Sequence, residues 1–313
     1  MSAVPTIELE NVYRFYGSTR AVDGISFSVP AGQVCGFIGP NGAGKTTSMR
    51  ILATLDLPTS GEARVDGFSV IDDPDRVRRR LGYMPDDFGT YPNVTCYEYL
   101  DFFARAYGLR GTERRHALSR VVSFTGLEPL LQKPVNGLSK GMRQRLCLGR
   151  TLIHDPSVLI LDEPAAGLDP RARVELRDMI CGLTAEGKTL LVSSHILTEL
   201  AEMCDLVAII EQGKLLAVGR VDEILMHRTA RRQVKVTVLE GAESLAGWLA
   251  EREGLEQIRR VESSLTFSHE LGREADAALL AAMIGAGFRV VEYAGHRTTL
   301  EEAFMEITRG RVQ

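Results

Sequence analysis

The chain has 313 residues, of which 44% are hydrophobic and 25% are charged, and its formal net charge is −4. This length predicts two globular domains, and the composition excludes a largely disordered chain. The negative net charge disfavours direct, sequence-independent binding of nucleic acid, which normally needs a basic face. The basic runs Arg76–Arg80 and His227–Arg232 are interpreted as solvated surface or linker segments.

Neither disulfides nor a membrane-spanning segment are predicted. The five cysteines are far apart and form no CxxC pair, which favours reduced thiols. The N-terminus lacks the basic start and apolar core of an export signal. The uncharged stretch Ala277–Phe288 has twelve residues, whereas a membrane span needs about 20 apolar residues. Any membrane contact is therefore expected to be indirect.

Two kinds of strand pattern appear along the first 228 residues. Alternating segments such as "TIELENVYRFY" and "AVDGISFSVP" indicate an antiparallel sheet near the N-terminus. Later runs are apolar on both faces, as strands of a covered, mainly parallel sheet require: Gln33–Gly39, Val158–Pro164, Thr189–His195 and Leu206–Ile210. The predicted fold class is therefore α/β.

A phosphate-binding loop is predicted between the first of these apolar strands and a helical run. The segment "GPNGAGKTT" matches GxxxxGK[ST] and comprises Gly39, Pro40, Asn41, Gly42, Ala43, Gly44, Lys45, Thr46 and Thr47. Glycines let backbone N–H groups surround phosphates, Lys45 reaches the outer phosphates, and the Thr46 hydroxyl is a ligand for Mg²⁺. The segment Gly182–Thr189, "GLTAEGKT", fits the same pattern, but a helix precedes it and a strand follows it. That reversed order predicts a helix end instead.

A second anion site is predicted at the start of a later helix. Sheet patterns are absent from about residue 88 to residue 137, which indicates an inserted helical subdomain. The segment "LSKGM" follows, comprising Leu138, Ser139, Lys140, Gly141 and Met142. Ser139 occupies a capping position, and the unpaired N–H groups of a helix start attract phosphate.

Acidic residues and a histidine end two of the apolar strands. Asp162 and Glu163 are adjacent at the end of "VLILDEP", so their side chains point to opposite sides of the strand. One can bind Mg²⁺ while the other faces an attacking water. A charged strand end is the alternative, but a phosphate loop on the same sheet favours a site. His195 ends "LLVSSH" at the ligand-binding edge, where it could donate to a γ-phosphate.

A domain boundary is expected near residue 228, giving domains 1–228 and 229–313. Beyond it the patterns read strand, helix, two strands, helix, strand, which is the order of a small α+β ferredoxin-like domain.

The ordered set "GPNGAGKTT", "LSKGM", "LILDEP", "GLDP" and "SSH" resembles the ATP-binding cassette (ABC) family of transporter ATPases. The resemblance implies a P-loop NTPase cassette that uses ATP and Mg²⁺. It identifies residues 39–47 as the Walker A loop, Asp162 as a magnesium ligand and Glu163 as the general base. It also implies that Asp169 is the D-loop acid, that His195 is the switch histidine, and that Tyr16 stacks on adenine, with Phe15 as a weaker alternative.

In this family two cassettes dock head to tail, and the signature of one, here Leu138–Met142, caps the nucleotide held by the other. The chain has one phosphate loop and one signature, so a homodimer is expected. Two positions depart from the family pattern. Asp86 replaces the usual glutamine and is expected to keep a contact with Mg²⁺, whereas Met142 replaces a glutamine with little expected consequence.

The wording "GYMPDDFGTYPNVTCYEYL" and the C-terminal extension are similar to the daunorubicin-resistance-type exporter branch. This similarity implies a separately encoded membrane permease and a position at the cytoplasmic face of the cell membrane. The segment Asp86–Tyr97, with Phe88 and Tyr91, is the expected docking surface, and the C-terminal domain is expected to serve dimerisation or regulation. A non-transport, ATP-dependent regulatory module is the alternative function.

Overall fold

The computed structural model describes residues 5–87, 89, 93–194, 200, 202–226, 232–269 and 273–296. The chain divides after Val221 into two compact units. This division lies a few residues before the predicted boundary at residue 228.

The described strands, in chain order, are β1 (Pro5–Tyr16), β2 (Thr19–Pro30), β3 (Val34–Ile38), β4 (Ser60–Val65), β5 (Phe68–Ser69), β6 (Leu81–Met84), β7 (Val158–Leu161), β8 (Thr189–Ser194), β9 (Leu206–Glu211), β10 (Lys214–Arg220), β11 (Arg232–Val238), β12 (Leu255–Val261), β13 (Ser264–His269) and β14 (Val290–His296).

The described helices are α1 (Lys45–Leu52), α2 (Pro74–Arg80), α3 (Cys96–Ala106), α4 (Gly111–Thr125), α5 (Lys140–Leu152), α6 (Pro170–Ala185), α7 (Val221–Met226), α8 (Ala242–Ala250) and α9 (Arg273–Gly285). Within the described part of the chain, no helix combines the length and apolar character needed to span a bilayer.

The first unit contains a six-stranded sheet with the order β10-β9-β3-β8-β7-β6. Neighbouring strands from β9 to β6 run parallel, and β10 adds an antiparallel edge. Every residue of β3, β7 and β8 is buried. The burial of these three strands confirms the prediction of a covered, mainly parallel sheet. Strands that are packed on both faces favour continuous apolar runs.

A four-stranded antiparallel sheet with the order β2-β1-β4-β5 completes the core of this unit. Alternate residues of β2 are buried, among them Ile25, Phe27 and Val29. They share one apolar cluster with Phe37 of β3 and Ile160 of β7. The period-two pattern near the N-terminus therefore marks a sheet with one face on the core.

Helices α3 and α4 lie within the stretch predicted to be a helical subdomain, and α5 follows it. Thr95 and Glu98 form a reciprocal capping box at the start of α3, which satisfies two backbone N–H groups. Gly149 of α5 allows close packing, because a Cβ there would lie 3.0 Å from Val121 of α4.

The second unit has the strand order β12-β13-β11-β14, with every neighbouring pair antiparallel. With α8 between β11 and β12 and α9 between β13 and β14, this is the predicted ferredoxin-like arrangement. Its core includes Val236, Leu249, Phe267 and Met283.

His154 connects the helical segment to the main sheet. Its ring stacks on Tyr107 at the end of α3, with centroids 3.8 Å apart, and its Nε2 donates to the Leu81 carbonyl at 3.1 Å. Its Nδ1 is buried and has no hydrogen-bond partner among the described residues. Burial lowers the pKa of His154 to about 4, the main effect, so the ring is neutral at pH 7.

This lowered pKa predicts acid sensitivity. Because the unfolded chain binds the proton more tightly, stability falls as the pH drops from about 6.5 towards 4. The contribution of His154 to this loss reaches about 3 kcal/mol at pH 4. His154→Phe keeps a ring against Tyr107 but removes the group that titrates. Urea midpoints measured from pH 7 to 4 should therefore fall less steeply in this variant than in wild type. Parallel pH curves for the two proteins would refute the prediction.

Candidate functional site

Strands β3, β6 and β7 run parallel, so the segments that follow them meet at one edge of the sheet. These segments are the glycine-rich loop after β3, residues 85–87 after β6, and Asp162 with Glu163 after β7. Ligands of open α/β sheets bind at this carboxyl edge.

The glycine-rich loop needs its glycines for two separate reasons. Gly42 and Gly44 have φ values of 79° and 106°, which side chains rarely tolerate. Gly39 and Gly44 also approach other backbone closely: a Cβ would lie 2.2 Å from the Ile210 carbonyl and 2.4 Å from the Ala21 carbonyl, respectively. The loop is therefore held against both β2 and β9 at the start of α1.

Lys45 joins this loop to the end of β7. Its ammonium group donates to the Gly39 carbonyl at 2.6 Å and the Pro40 carbonyl at 3.3 Å. The same Nζ lies 3.4 Å from Glu163 Oε1, and both side chains are largely buried. Loop and acid therefore belong to one site.

The two acids after β7 have different surroundings. Asp162 is 1% exposed, and its Oδ1 accepts a hydrogen bond from Ser193 Oγ at 2.7 Å. Its Oδ2 is buried without a hydrogen-bond partner among the described residues. Glu163 has a φ of 48°, and its amide donates to the same Ser193 Oγ at 2.8 Å. Ser193 was not among the site residues predicted from the sequence, although a polar residue inside an otherwise apolar strand is a signal for a buried polar contact.

A pocket of about 190 Å³ is lined by residues of the glycine-rich loop and by two carboxylates from other strand ends. Thr46 and Thr47 line it from the start of α1, and Asp86 and Glu163 line it from the ends of β6 and β7. Partial burial, followed by the charges of Asp162 and Glu163, raises the pKa of the Asp86 carboxyl, while Lys140 opposes the shift. The structure thus brings Asp86 to the predicted site.

The signature segment starts α5 as predicted. Ser139 is the N-cap residue, and its hydroxyl accepts from the Met142 amide at 3.3 Å. Met142 thus uses its backbone N–H, which every residue except proline supplies. A Cβ on Gly141 would lie 3.3 Å from Ala172, so the start of α5 packs against α6. Among the described residues that line the phosphate-loop pocket, none belongs to Leu138–Met142.

Asp169 has a local structural role. It is the N-cap residue of α6, and its Oδ1 accepts from the Ala172 amide at 2.9 Å. Pro170 follows at the first helical position, where its missing N–H costs nothing. The carboxylate is at the protein surface.

Tyr16 lies at the end of β1 and is 47% exposed. The Arg14 guanidinium covers its ring at 4.4 Å, and its hydroxyl donates to Asp56. Asp56 also pairs with Arg14 at 2.7 Å. The ring is therefore presented at the surface by two fixed neighbours, and it is not part of the apolar core.

Three predicted residues, His195, Phe88 and Tyr91, lie outside the described residues.

The second GxxxxGKT match is not a phosphate loop. Gly182 lies inside α6, and Gly187 follows its end with a φ of 84°. Thr189 starts β8, and its hydroxyl accepts from the Gly32 amide at 2.9 Å.

A second concave surface, here called the aromatic groove, lies between α3, α5, β6 and the turn after α1. Its volume is about 300 Å³, and its walls include Leu55, Tyr83, Phe103 and Tyr107. Arg78 and Arg150 also line the groove, and no carboxylate is among the described residues that do. Leu55 and Tyr107 are 56% and 44% exposed, so apolar surface is open to a partner.

Comparison with known proteins identifies relatives across most of the chain. Residues 22–166 match the family model described as ABC transporter. The Nod factor export ATP-binding protein I of Ralstonia nicotianae is 37% identical over 254 residues, covering 80% of this chain and 79% of the relative. The protein of the same name from Cupriavidus metallidurans is 33% identical over 304 residues, covering 96% and 97% of the two chains.

Among solved structures, the dimeric structure of MJ0796, a bacterial ABC transporter cassette, is 26% identical with a TM-score of 0.63. The match covers 69% of this chain and 98% of that cassette. The Cupriavidus relative extends the similarity into the second unit, which this match does not cover in full.

Proposed function

The chain belongs to the ABC transporter family and is an ATP-hydrolysing cassette, and from this premise we propose that it dimerises around ATP to drive a separate membrane permease. The observation that carries the proposal is the 3.4 Å contact between Lys45 and Glu163. It joins the phosphate loop and the acid that we assign to water activation in one pocket.

The phosphates of ATP bind to the loop from Gly39 to Thr47. Its backbone N–H groups and the Lys45 ammonium provide positive charge where the nucleotide is negative. Tyr16, exposed at the end of β1, offers an aromatic face for adenine.

The residues present fit Mg²⁺. The buried Oδ2 of Asp162 has no hydrogen-bond partner among the described residues, and a charged oxygen in that position suits a cation. The Thr46 hydroxyl and the Asp86 carboxylate complete a set of hard oxygen donors, which Mg²⁺ prefers. When bound, the ion neutralises phosphate charge and orients the triphosphate.

Glu163 accepts the proton of the attacking water. The hydrogen bond from its backbone amide to Ser193 holds the residue at the strand end, and its carboxylate lies in the phosphate pocket. His195, which follows Ser194 in the sequence, is assigned the contact with the γ-phosphate that the family resemblance implies.

The complete site forms between two copies of the chain. Ser139 and the exposed start of α5 bind the γ-phosphate held by the partner, since the first N–H groups of a helix have no partner within the helix and carry partial positive charge. Asp169 lies at the same surface. The dimeric cassette among the structural relatives supports this arrangement.

The aromatic groove is the docking surface that we assign to a cytoplasmic loop of the permease. It offers exposed apolar rings, and its two arginines favour a loop that carries a carboxylate among apolar residues. The docking surface predicted at Phe88 and Tyr91 lies outside the described residues and stays a prediction. The cassette then acts at the cytoplasmic face of the membrane, where ATP is available.

Export is the direction that the relatives support, because both curated relatives are named for Nod factor export. These names favour a transporter over a non-transport regulatory module. We assign the C-terminal unit to dimerisation or regulation.

Replacing the proposed base should separate binding from hydrolysis. Glu163→Gln keeps the shape of the side chain but cannot accept the proton, so phosphate release should fall roughly 10²- to 10⁴-fold. Binding of a fluorescent ATP analogue should be retained within a few-fold. A variant that turns over at the wild-type rate would exclude Glu163 as the base.

Mixing two inactive subunits tests the shared site. Lys45→Ala removes the phosphate cation, and Ser139→Arg blocks the signature, so each variant alone should be inactive. Random pairing makes about half of the dimers heterodimers, each with one intact pair of loop and signature out of two, so the mixture should recover about a quarter of wild-type phosphate release at equal total protein. No recovery, with heterodimers verified by crosslinking, would count against a composite site.

The aromatic groove can be tested by co-purification with the co-expressed membrane subunit. Phe103→Ala and Arg78→Glu should each lower recovery of that subunit at least fivefold, because they remove apolar contact and reverse a charge. Phe102→Ala and Arg79→Glu are matched controls on the same helices outside the groove and should have little effect. ATP hydrolysis by the isolated chain should remain unchanged in all four variants. Equal recovery throughout would reject this surface.

A further inference from the structure

Ser193 contacts both acids of the proposed hydrolytic site through one oxygen atom. It lies in β8, next to β7, and is fully buried. Its Oγ accepts a hydrogen bond from the Glu163 amide at 2.8 Å and donates one to Asp162 Oδ1 at 2.7 Å. Ser193 lies in the "SSH" segment, of which only His195 was assigned a role from the sequence.

A hydroxyl group is suited to this double contact. It carries one proton to donate and lone pairs that accept, whereas an amide N–H can only donate and a carboxylate only accept. Ser193 can therefore satisfy a donor and an acceptor that stand side by side in the chain. Without this hydroxyl both groups would be left unsatisfied, because water cannot replace it inside the buried sheet.

The hydrogen bond from the Glu163 amide to Ser193 restrains an unfavourable backbone conformation. Glu163 has a φ of 48°, in the left-handed region that non-glycine residues rarely occupy. Such conformations persist where surrounding contacts enforce them. The bond from the Glu163 amide to β8 is one such contact, and it orients the residue whose carboxylate lies 3.4 Å from Lys45.

The hydrogen bond from Ser193 to the Asp162 carboxylate selects one orientation of that side chain. Oδ1 is occupied by Ser193, and Oδ2 is left without a hydrogen-bond partner among the described residues. The Asp162 amide is also fixed, since it donates to the Met84 carbonyl at 2.8 Å. Rotation of the carboxylate would break the bond to Ser193, so Oδ2 stays as the oxygen available to a cation.

We propose that Ser193 is a positioning residue that sets the orientation of Asp162 and Glu163 together. The inference rests on the functions proposed for those two acids. It predicts that loss of the hydroxyl impairs hydrolysis and the magnesium-dependent part of nucleotide binding, while metal-free binding through the phosphate loop is retained.

The test compares substitutions that differ in hydrogen bonding and shape. Ser193→Ala removes the hydroxyl, Ser193→Cys keeps the size with a weaker donor and acceptor, and Ser193→Thr keeps the hydroxyl. Thr189→Val is the matched control. It removes another buried hydroxyl of β8 that accepts a backbone amide, that of Gly32, at the opposite end of the strand.

We expect kcat to fall at least tenfold in Ser193→Ala and Ser193→Cys, and to stay within threefold of wild type in Ser193→Thr. The gain in affinity for a fluorescent ATP analogue on adding Mg²⁺ should shrink at least threefold in the first two variants. Thr189→Val should lower the urea midpoint but leave kcat and this gain within twofold of wild type.

Three outcomes would overturn the proposal: wild-type kcat in both Ser193→Ala and Ser193→Cys, equal impairment in Ser193→Thr, or the same kinetic loss in Thr189→Val. If Ser193→Ala does not fold, Ser193→Cys decides the result. Glu163→Gln is assayed in parallel. A normal rate in that variant refutes the function of Glu163 itself, whereas impairment there with normal Ser193 variants refutes only the positioning function.

Discussion

The contact of Lys45 with Glu163 depends on a constraint of the parallel sheet. The two residues are far apart in sequence, yet their side chains meet because β3 and β7 run in the same direction and end at one edge, with β8 between them. The loop can approach that edge only because glycine at positions 39 and 44 leaves room for the carbonyls of Ile210 and Ala21. A side chain at either glycine would displace Lys45 from the acid.

The same edge explains why the site tolerates strain and buried charge. Glu163 occupies a left-handed backbone conformation, and Asp162 is almost completely buried. Both conditions are costly in isolation. Ser193 of the neighbouring strand relieves both through one hydroxyl, so the sheet supplies support as well as proximity.

The two concave surfaces of the first unit differ in chemical character. The phosphate-loop pocket gathers backbone amides, a lysine and carboxylates, as a charged substrate requires. The aromatic groove combines exposed rings with two arginines, as a polypeptide partner requires. Strand β6 connects the two surfaces: Tyr83 within the strand lines the groove, and Asp86, just after its end, lines the pocket. This short strand is therefore a direct physical connection between the proposed partner and the proposed chemistry.

The fold class and the local chemistry could be predicted from the order of the amino acids alone. Continuous apolar runs predicted the parallel sheet, alternation predicted the antiparallel sheet, and the order of elements predicted the ferredoxin-like unit. These signals are local, since each reflects the burial or backbone geometry of a few neighbouring residues. The same reasoning separated the phosphate loop from the match at Gly182–Thr189, where Gly187 follows the end of a helix.

Contacts between residues that are distant in sequence become visible only in the folded chain. The hydrogen bond from Ser193 to Asp162 joins β8 to the end of the neighbouring strand β7, and the aromatic groove lies between α3, α5, β6 and the turn after α1. Strand order and helix packing create these contacts, and no sequence period encodes them. For that reason Lys45, Asp162 and Glu163 were recognisable from their motifs, whereas Ser193, Phe103 and Arg150 acquired meaning only from their neighbours in space.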